Sequence, residues 1–186
     1  MFIFVVVIVL TIIWLIVQYN RLVFARNLVR EAWSGIDVQL KRRYDLIPNL
    51  VETVKGYGTY EQTLLDDIIK LRSKTTGTET LQEKAGAENE ISSALRTIFA
   101  AAEAYPDLKA SRSFLELQKS LIDIEDQLQY ARRYYNGTVR DYNTEIESFP
   151  GNLLAQLFKF EKEEFFEITL ATEREAPEVK ISHAAL

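Results

Sequence analysis

One histidine, three groups of carboxylates and a run of three basic side chains are the residues whose types and spacing could support chemistry. His183 is the sole histidine and lies three residues from the end. Acid–base or metal work requires partners held around an imidazole, so His183 reads as a solvated tail residue. The carboxylates cluster at Asp66-Asp67, at Asp123, Glu125 and Asp126, and at Glu161, Glu163 and Glu164. Helical di-metal sites add Glu-x-x-His repeats to inward carboxylates, and this chain has none. Asp66, Asp67, Asp123 and Glu125 fall off the apolar stripes described below and read as a solvated face. There is no cysteine, no glycine-rich phosphate loop and no G-x-S-x-G nucleophile elbow. The expectation is a non-enzyme without metal or cofactor.

Two further groups can bind without catalysing. Lys41, Arg42 and Arg43 are consecutive, and on an upright helix they lie roughly 33 Å beyond Arg21. With a Debye length of about 8 Å, the lipid surface cannot attract them there. They are solvated, paired inside the molecule, with Asp45 the nearest acid in sequence, or offered to a partner. Arg132-Arg133 would fall nearer the membrane, within reach of lipid phosphate. Tyr130, Tyr134, Tyr135 and Tyr142 could stack nucleic-acid bases. The net charge of −5 opposes that: residues 20–60 carry seven basic and four acidic groups, and residues 61–186 fifteen and twenty-three. A nucleic-acid binder needs a dominant basic patch, so the tyrosines read as packing residues with bonded hydroxyls.

These groups must be positioned by helices. Phe2 to Val17 is sixteen residues with Thr11 the only polar side chain, roughly 24 Å of helix against a hydrocarbon core of ~30 Å. Phe2, Phe4, Val7, Leu10, Ile13, Trp14 and Val17 form the expected anchor, with Tyr19 as its interfacial aromatic. A signal peptide would show a basic n-region and an A-x-A-like cleavage site; neither is present. Arg21, Arg26 and Arg30 follow the span before the first acid, Glu31. The positive-inside rule gives an N-terminus outside and a cytoplasmic body.

Beyond the anchor, apolar residues recur at helical spacing. One stripe is Trp33, Ile36, Leu40, Tyr44, Ile47, Val51 and Val54. A polar loop at Lys74–Glu79 precedes Thr80, which stands three residues before Glu83 as a capping box. The next stripe is Leu81, Ile91, Leu95, Ile98, Ala102 and Tyr105. The last long helix starts near Ser111, carries Phe114, Leu117, Leu121, Ile124, Leu128, Ala131, Tyr135, Tyr142, Ile146 and Phe149, and stops at Pro150-Gly151. Pro48 either kinks one long helix or marks a reversal. Reversal is the favoured reading, since it yields four matched segments of about 37–40 Å. The expected architecture is all-α: an anchor over 1–19, an antiparallel up-and-down four-helix bundle over 20–150, and a tail over 151–186. In that tail LLAQLFKF is amphipathic, and Phe166, Ile168, Leu170, Val179 and Ile181 alternate like strands. Leu154, Leu157, Phe158, Phe165 and Phe166 are its candidate interaction residues.

The blocks YNRLVFARNLVREAWSGIDVQLKRRYDLIPNLVETVKGY (19–57) and YARRYYNGTVRDYNTEIESFP (130–150), followed by GNLLAQLFKFEKEEFFE, together with the N-terminal span, resemble the LemA family of bacterial membrane-anchored proteins. The resemblance implies one transmembrane helix, a cytoplasmic antiparallel helical bundle and no established enzyme activity. It also implies an envelope setting, in the bacterial inner membrane, with a membrane protease or TPM-domain proteins as candidate partners. The resulting expectation is a self-associating membrane scaffold or adaptor. The alternative is a lipid-facing element built from the amphipathic tail, Arg132 and Arg133.

Overall fold

Pro48 does not reverse the chain. In the computed structural model, which describes residues 1–57, 62–76 and 80–166, a single helix α1 runs from Phe2 to Lys55 with Pro48 inside it. The lost bond to the Tyr44 carbonyl costs about 3 kcal/mol. Ile47, Leu50, Val51 and Val54 around the proline are all buried. Each such side chain gains about 1.5–3 kcal/mol on burial, so together they outweigh the break. The four matched segments expected from a reversal are absent, and the partner of α1 is itself a long helix.

That partner is α5 (Arg112–Glu147), preceded by α2 (Gln62–Thr76), α3 (Leu81–Ala102) and the one-turn α4 (Pro106–Lys109), and followed by α6 (Gly151–Phe158). At about 1.5 Å per residue α1 is ~81 Å long and α5 ~54 Å. They lie antiparallel: Arg21 pairs with Glu145 and Arg43 with Glu125. α5 passes through Asn136-Gly137 without a break, which removes any need for a bend there. α3 runs in the same sense as α1, with Lys84 on Asp37 and Glu88 on Arg43. α2, joined to α3 by a short link, completes an up-down-up-down order. The described residues are all-α, with no strand among them.

Local signals set the ends of the elements. Thr80 caps α3 by accepting the Glu83 N–H at 3.3 Å, and Ser111 caps α5 by accepting that of Phe114. At the start of α6 a Cβ on Gly151 would stand 2.2 Å from the Glu145 carbonyl oxygen. Glycine is therefore what lets α6 fold back onto α5.

Residues 2–17 of α1 are exposed throughout, apolar side chains included, and an 18-residue window of α1 near its N-terminus has a mean hydropathy of 2.8. Past them the core forms two clusters. The proximal one joins Leu22–Leu40 of α1 to Ile124–Ile146 of α5, with Leu154, Ala155 and Phe166. The distal one joins Ile47–Val54 to α2, α3, Leu108, Phe114 and Leu121. Between Leu40 and Ile47 lies a layer of buried charge.

Candidate functional site: a buried charge layer and a main-chain clamp

Arg43 has no exposed surface. It lies a heptad after Ile36 and four residues before Ile47, so the α1 stripe carries it into the core. Its Nη1 donates to Glu88 Oε2 and to Ser92 Oγ, each at 3.1 Å, and its Nη2 donates to Glu125 Oε2. Glu88, also fully buried, accepts the Tyr44 hydroxyl at its other oxygen. Ser92 Oγ and Gln129 Nε2 donate to Glu125. Burial raises the Glu88 carboxyl above the usual carboxylate range, and the Tyr44 hydroxyl and then the Arg43 charge pull it back. Such a layer is expensive to desolvate and costly to break once paired.

Arg132 is the second buried arginine, 4% exposed. Its guanidinium stacks on the Phe166 ring at 4.9 Å, and its Nε and Nη2 have no hydrogen-bond partner. Burial, and then the neighbouring Arg43 charge, lower its pKa, while Glu125 and Glu88 act in the opposite sense. Beside it α3 and α5 leave a cavity of about 480 Å³.

A different construction closes the proximal half. After α6, Lys159 takes a left-handed conformation (φ 55°), and residues 160–166 run back along α5 as an extended strap. Asn143 accepts the Glu163 N–H at 3.0 Å and donates to the Glu163 carbonyl at 2.9 Å. Asn136 does the same for Phe166, at 2.8 and 3.1 Å. The Tyr142 and Tyr135 hydroxyls donate to the carbonyls of Glu161 and Glu164, both at 2.9 Å. The repeat lengths match: seven residues of helix rise about 10.5 Å, and three residues of extended chain about 10 Å. Two Tyr-Asn pairs a heptad apart thus grip the main chain at three-residue intervals. Burial, with Glu163 and Glu164 nearby, pushes the Tyr135 hydroxyl up to about 12; Tyr142 is also raised, chiefly by burial.

The anchor residues Phe2, Phe4, Val7, Leu10, Ile13, Trp14 and Val17 stand bare on α1. Tyr19 packs against Phe158 at a tilt and against Phe160 edge-on, with ring centroids 4.7 and 5.9 Å apart. Lys41, Arg42 and Asp45 are exposed, with Arg42 bonded to Gln39. Arg43 therefore pairs with α3 and α5 rather than with its neighbour Asp45. Arg132 is a correction: it is buried beside the charge layer, opposite Ile36 by the Arg21–Glu145 and Arg43–Glu125 pairings, hence about 28 Å of helix beyond Val17, and offers nothing to lipid. Arg133 is exposed, over the Tyr130 ring. Glu125 is likewise a correction, since it turns inward to Arg43 and is only half-exposed. Among the tyrosines, 135 and 142 are buried with bonded hydroxyls, whereas 130 and 134 are exposed. In the tail, Leu154 and Phe166 are buried, and Leu157, Phe158 and Phe165 exposed. Ile168, Leu170, Val179, Ile181 and His183 lie outside the described residues. Among the described residues no group of three His, Cys, Asp or Glu side chains is placed to hold a metal ion.

Glu88, Asn136 and Asn143 were missed as functional residues. Glu88 fills the gap between Leu81 and Ile91 in the α3 stripe, and the repeat Tyr-Asn at 135–136 and 142–143 was the visible sign of the clamp.

The model of the LemA family matches residues 32–181, covering the charge layer and the clamp together. The chain belongs to the LemA family. It is 30% identical over 142 residues to Protein LemA of Metamycoplasma hominis, a match covering 74% of this chain and 63% of that one. It is 24% identical over 179 residues to Magnetosome protein MamQ 2 of Paramagnetospirillum magneticum, covering 82% and 66%. The MamQ protein of Magnetospirillum gryphiswaldense is 23% identical over 178 residues, covering 82% and 65%. The chain thus spans just under two thirds of the length of these relatives. Family membership and the bare apolar start of α1 make it a membrane-associated protein.

Proposed function

We propose that the protein is a non-enzymatic, single-pass membrane scaffold of the bacterial envelope that self-associates and presents its distal bundle to partner proteins. One observation carries this reading: α1 is continuous from the bare apolar segment to Lys55, so bilayer and bundle share one rigid axis. Arg21–Glu145, the packing of Tyr19 against Phe158 and the strap brace the helix where it would leave the membrane. In this reading the N-terminus is outside, the body is cytoplasmic, and Arg21, Arg26 and Arg30 sit at the inner surface. Envelope proteins such as a membrane protease or TPM-domain proteins are the partner class. Crosslinking in native membranes followed by sizing in detergent tests it: retained partners or a defined oligomer are expected, and a bare monomer overturns it. Labelling Ser113→Cys with an impermeant reagent in whole cells tests the orientation, since the chain has no cysteine. Labelling from outside reverses it.

A second reading rests on α6. Phe149, just before α6, and Leu153, Leu157 and Phe158 on it are 79, 58, 72 and 52% exposed, and Phe158 packs against Tyr19. An apolar face at that level suits the bilayer interface. A spin label on Leu157→Cys in nanodiscs reports its depth; a fully water-accessible label rejects lipid contact by α6.

A further inference from the structure

The line of α5 that holds the strap continues past the strap's end. Asn143 and Asn136 grip Glu163 and Phe166, and two further heptad steps reach Gln129 and Ile122. Both line the cavity between α3 and α5. Gln129 carries the same primary amide as the two asparagines, one methylene longer. The strap itself runs toward that cavity. From Asn143 to Asn136 it moves away from the membrane end of α5. Its last described residue, Phe166, lays its ring on Arg132, which lines the near end of the cavity.

The cavity suits the chain that follows. Its wall is apolar: Leu95 and Leu121 are buried, Phe99 is half-buried, and Ile122 is 49% exposed at the rim. From Arg132 to Ile122 is about 15 Å along α5, and five residues of extended chain span about 16 Å. Residues 167–171 read Glu-Ile-Thr-Leu-Ala. Ile168 and Leu170 follow the buried Phe166 at strand spacing, alternating with Glu167 and Thr169.

We propose that residues 167–171 continue the strap into this groove, with Ile168 and Leu170 seated against Leu95, Phe99, Leu121 and Ile122. The occupant of the α3–α5 groove is thus the protein's own tail. Each pair of residues advances about 7 Å, which brings Ile168 level with Gln129 and Leu170 level with Ile122. Glu167, the one charge in the segment, falls at the end of the groove that holds Arg132 and Arg133. The mode of attachment changes at Phe166. Leu128 stands one heptad before Tyr135, where a third clamping hydroxyl would be, and it has none to give. Beyond that point burial of alternate side chains takes over from main-chain hydrogen bonds. Another extended apolar peptide reaches the groove only by displacing the tail.

The test uses the full chain in lipid nanodiscs and exploits its lack of cysteine. In the pair Ile122→Cys with Leu170→Cys, mild oxidation is expected to form a disulfide within one chain. Val38→Cys with Leu170→Cys puts the first thiol on the exposed face of α1 and is expected to crosslink on the order of tenfold more slowly. Equal rates for the two pairs overturn the proposal, since the tail then visits every face alike. A disulfide found only between chains, scored by mixing two differently tagged preparations, overturns it in favour of a second copy as occupant. An independent arm follows maleimide labelling of Ile122→Cys alone. Adding Ile168→Asp and Leu170→Asp, both outside the bundle core, is expected to speed labelling by about fivefold or more as the thiol is uncovered. An unchanged rate overturns the proposal.

Discussion

On either side of the Arg43 layer the bundle is closed by different means. The distal half is sealed by side chains: α1, α2, α3 and α5 bury Ile47, Leu50, Val54, Leu65, Ile68, Ile91 and Ile98 against one another. The proximal half has two long helices, and its third wall is α6 and an extended strap bonded through its main chain. Burial of apolar area is non-directional, so the distal seal tolerates a change of apolar shape. The strap depends on donors and acceptors at fixed places, and it holds only while α5 presents them in register. The two halves should therefore fail separately, with the charge layer coupling them.

The largest effect belongs to that layer. Arg43→Ala leaves Glu88 buried and uncompensated, and breaking a buried ion pair in this way costs about 3–5 kcal/mol. Chemical denaturation should show the loss, and hydrogen exchange should rise on both sides of the layer. If only one half loosens, the layer does not couple them.

Next comes the distal core. Ile98→Ala removes a fully buried side chain and is expected to cost roughly 3 kcal/mol. Exchange should rise first in α2 and α3 while the strap amides of Glu163 and Phe166 stay protected. The mirror experiment is Asn143→Ala or Asn136→Ala, each losing one donor and one acceptor bond to the strap. About 1–2 kcal/mol is expected for each, read as faster exchange at Glu163 or Phe166 with α3 unchanged. A distal response to either asparagine variant would merge the two halves into one unit.

The smallest effect is alkaline. The Tyr135 hydroxyl is raised to about 12 in the fold against about 10 in an unfolded chain. The folded state thus holds its proton longer, and the stability this confers is complete below pH 10 and lost as pH rises to about 12. Tyr135→Phe should flatten the pH dependence of unfolding in that window. An unchanged slope would place the sensitivity elsewhere.

The distal half was legible in the sequence because its language is apolar spacing: the stripes through Ile47 and Val54, Ile91 and Leu95, and Phe114 and Leu121 all face inward. Thr80 was legible for a local reason, since a capping side chain bonds only three residues away. Pro48 misled, because its cost is local whereas the burial that outweighs it comes from helices distant in sequence. Arg43, Glu125 and Arg132 sit at inward positions, yet Glu125 reads as a solvated face, Arg132 as a lipid contact, and Arg43 as solvated, paired inside the molecule or offered to a partner, because a search for apolar periodicity does not show which charges pair across helices. The strap was illegible from its own residues, because what holds it is chemistry on α5.

That last point sets a rule for which substitutions the strap can accept. Glu161 and Glu164 contribute a carbonyl, and Glu163 an N–H and a carbonyl, which nearly every residue type possesses. Their side chains are free to drift, and the local charge can change, without loss of the clamp. Proline alone is barred at 163 and 166, where the N–H is taken by Asn143 and Asn136 and proline has none. Phe166 is doubly constrained, its ring being buried against Trp33 and Arg132. A segment can therefore vary widely in composition while its path stays fixed by two asparagines on another helix.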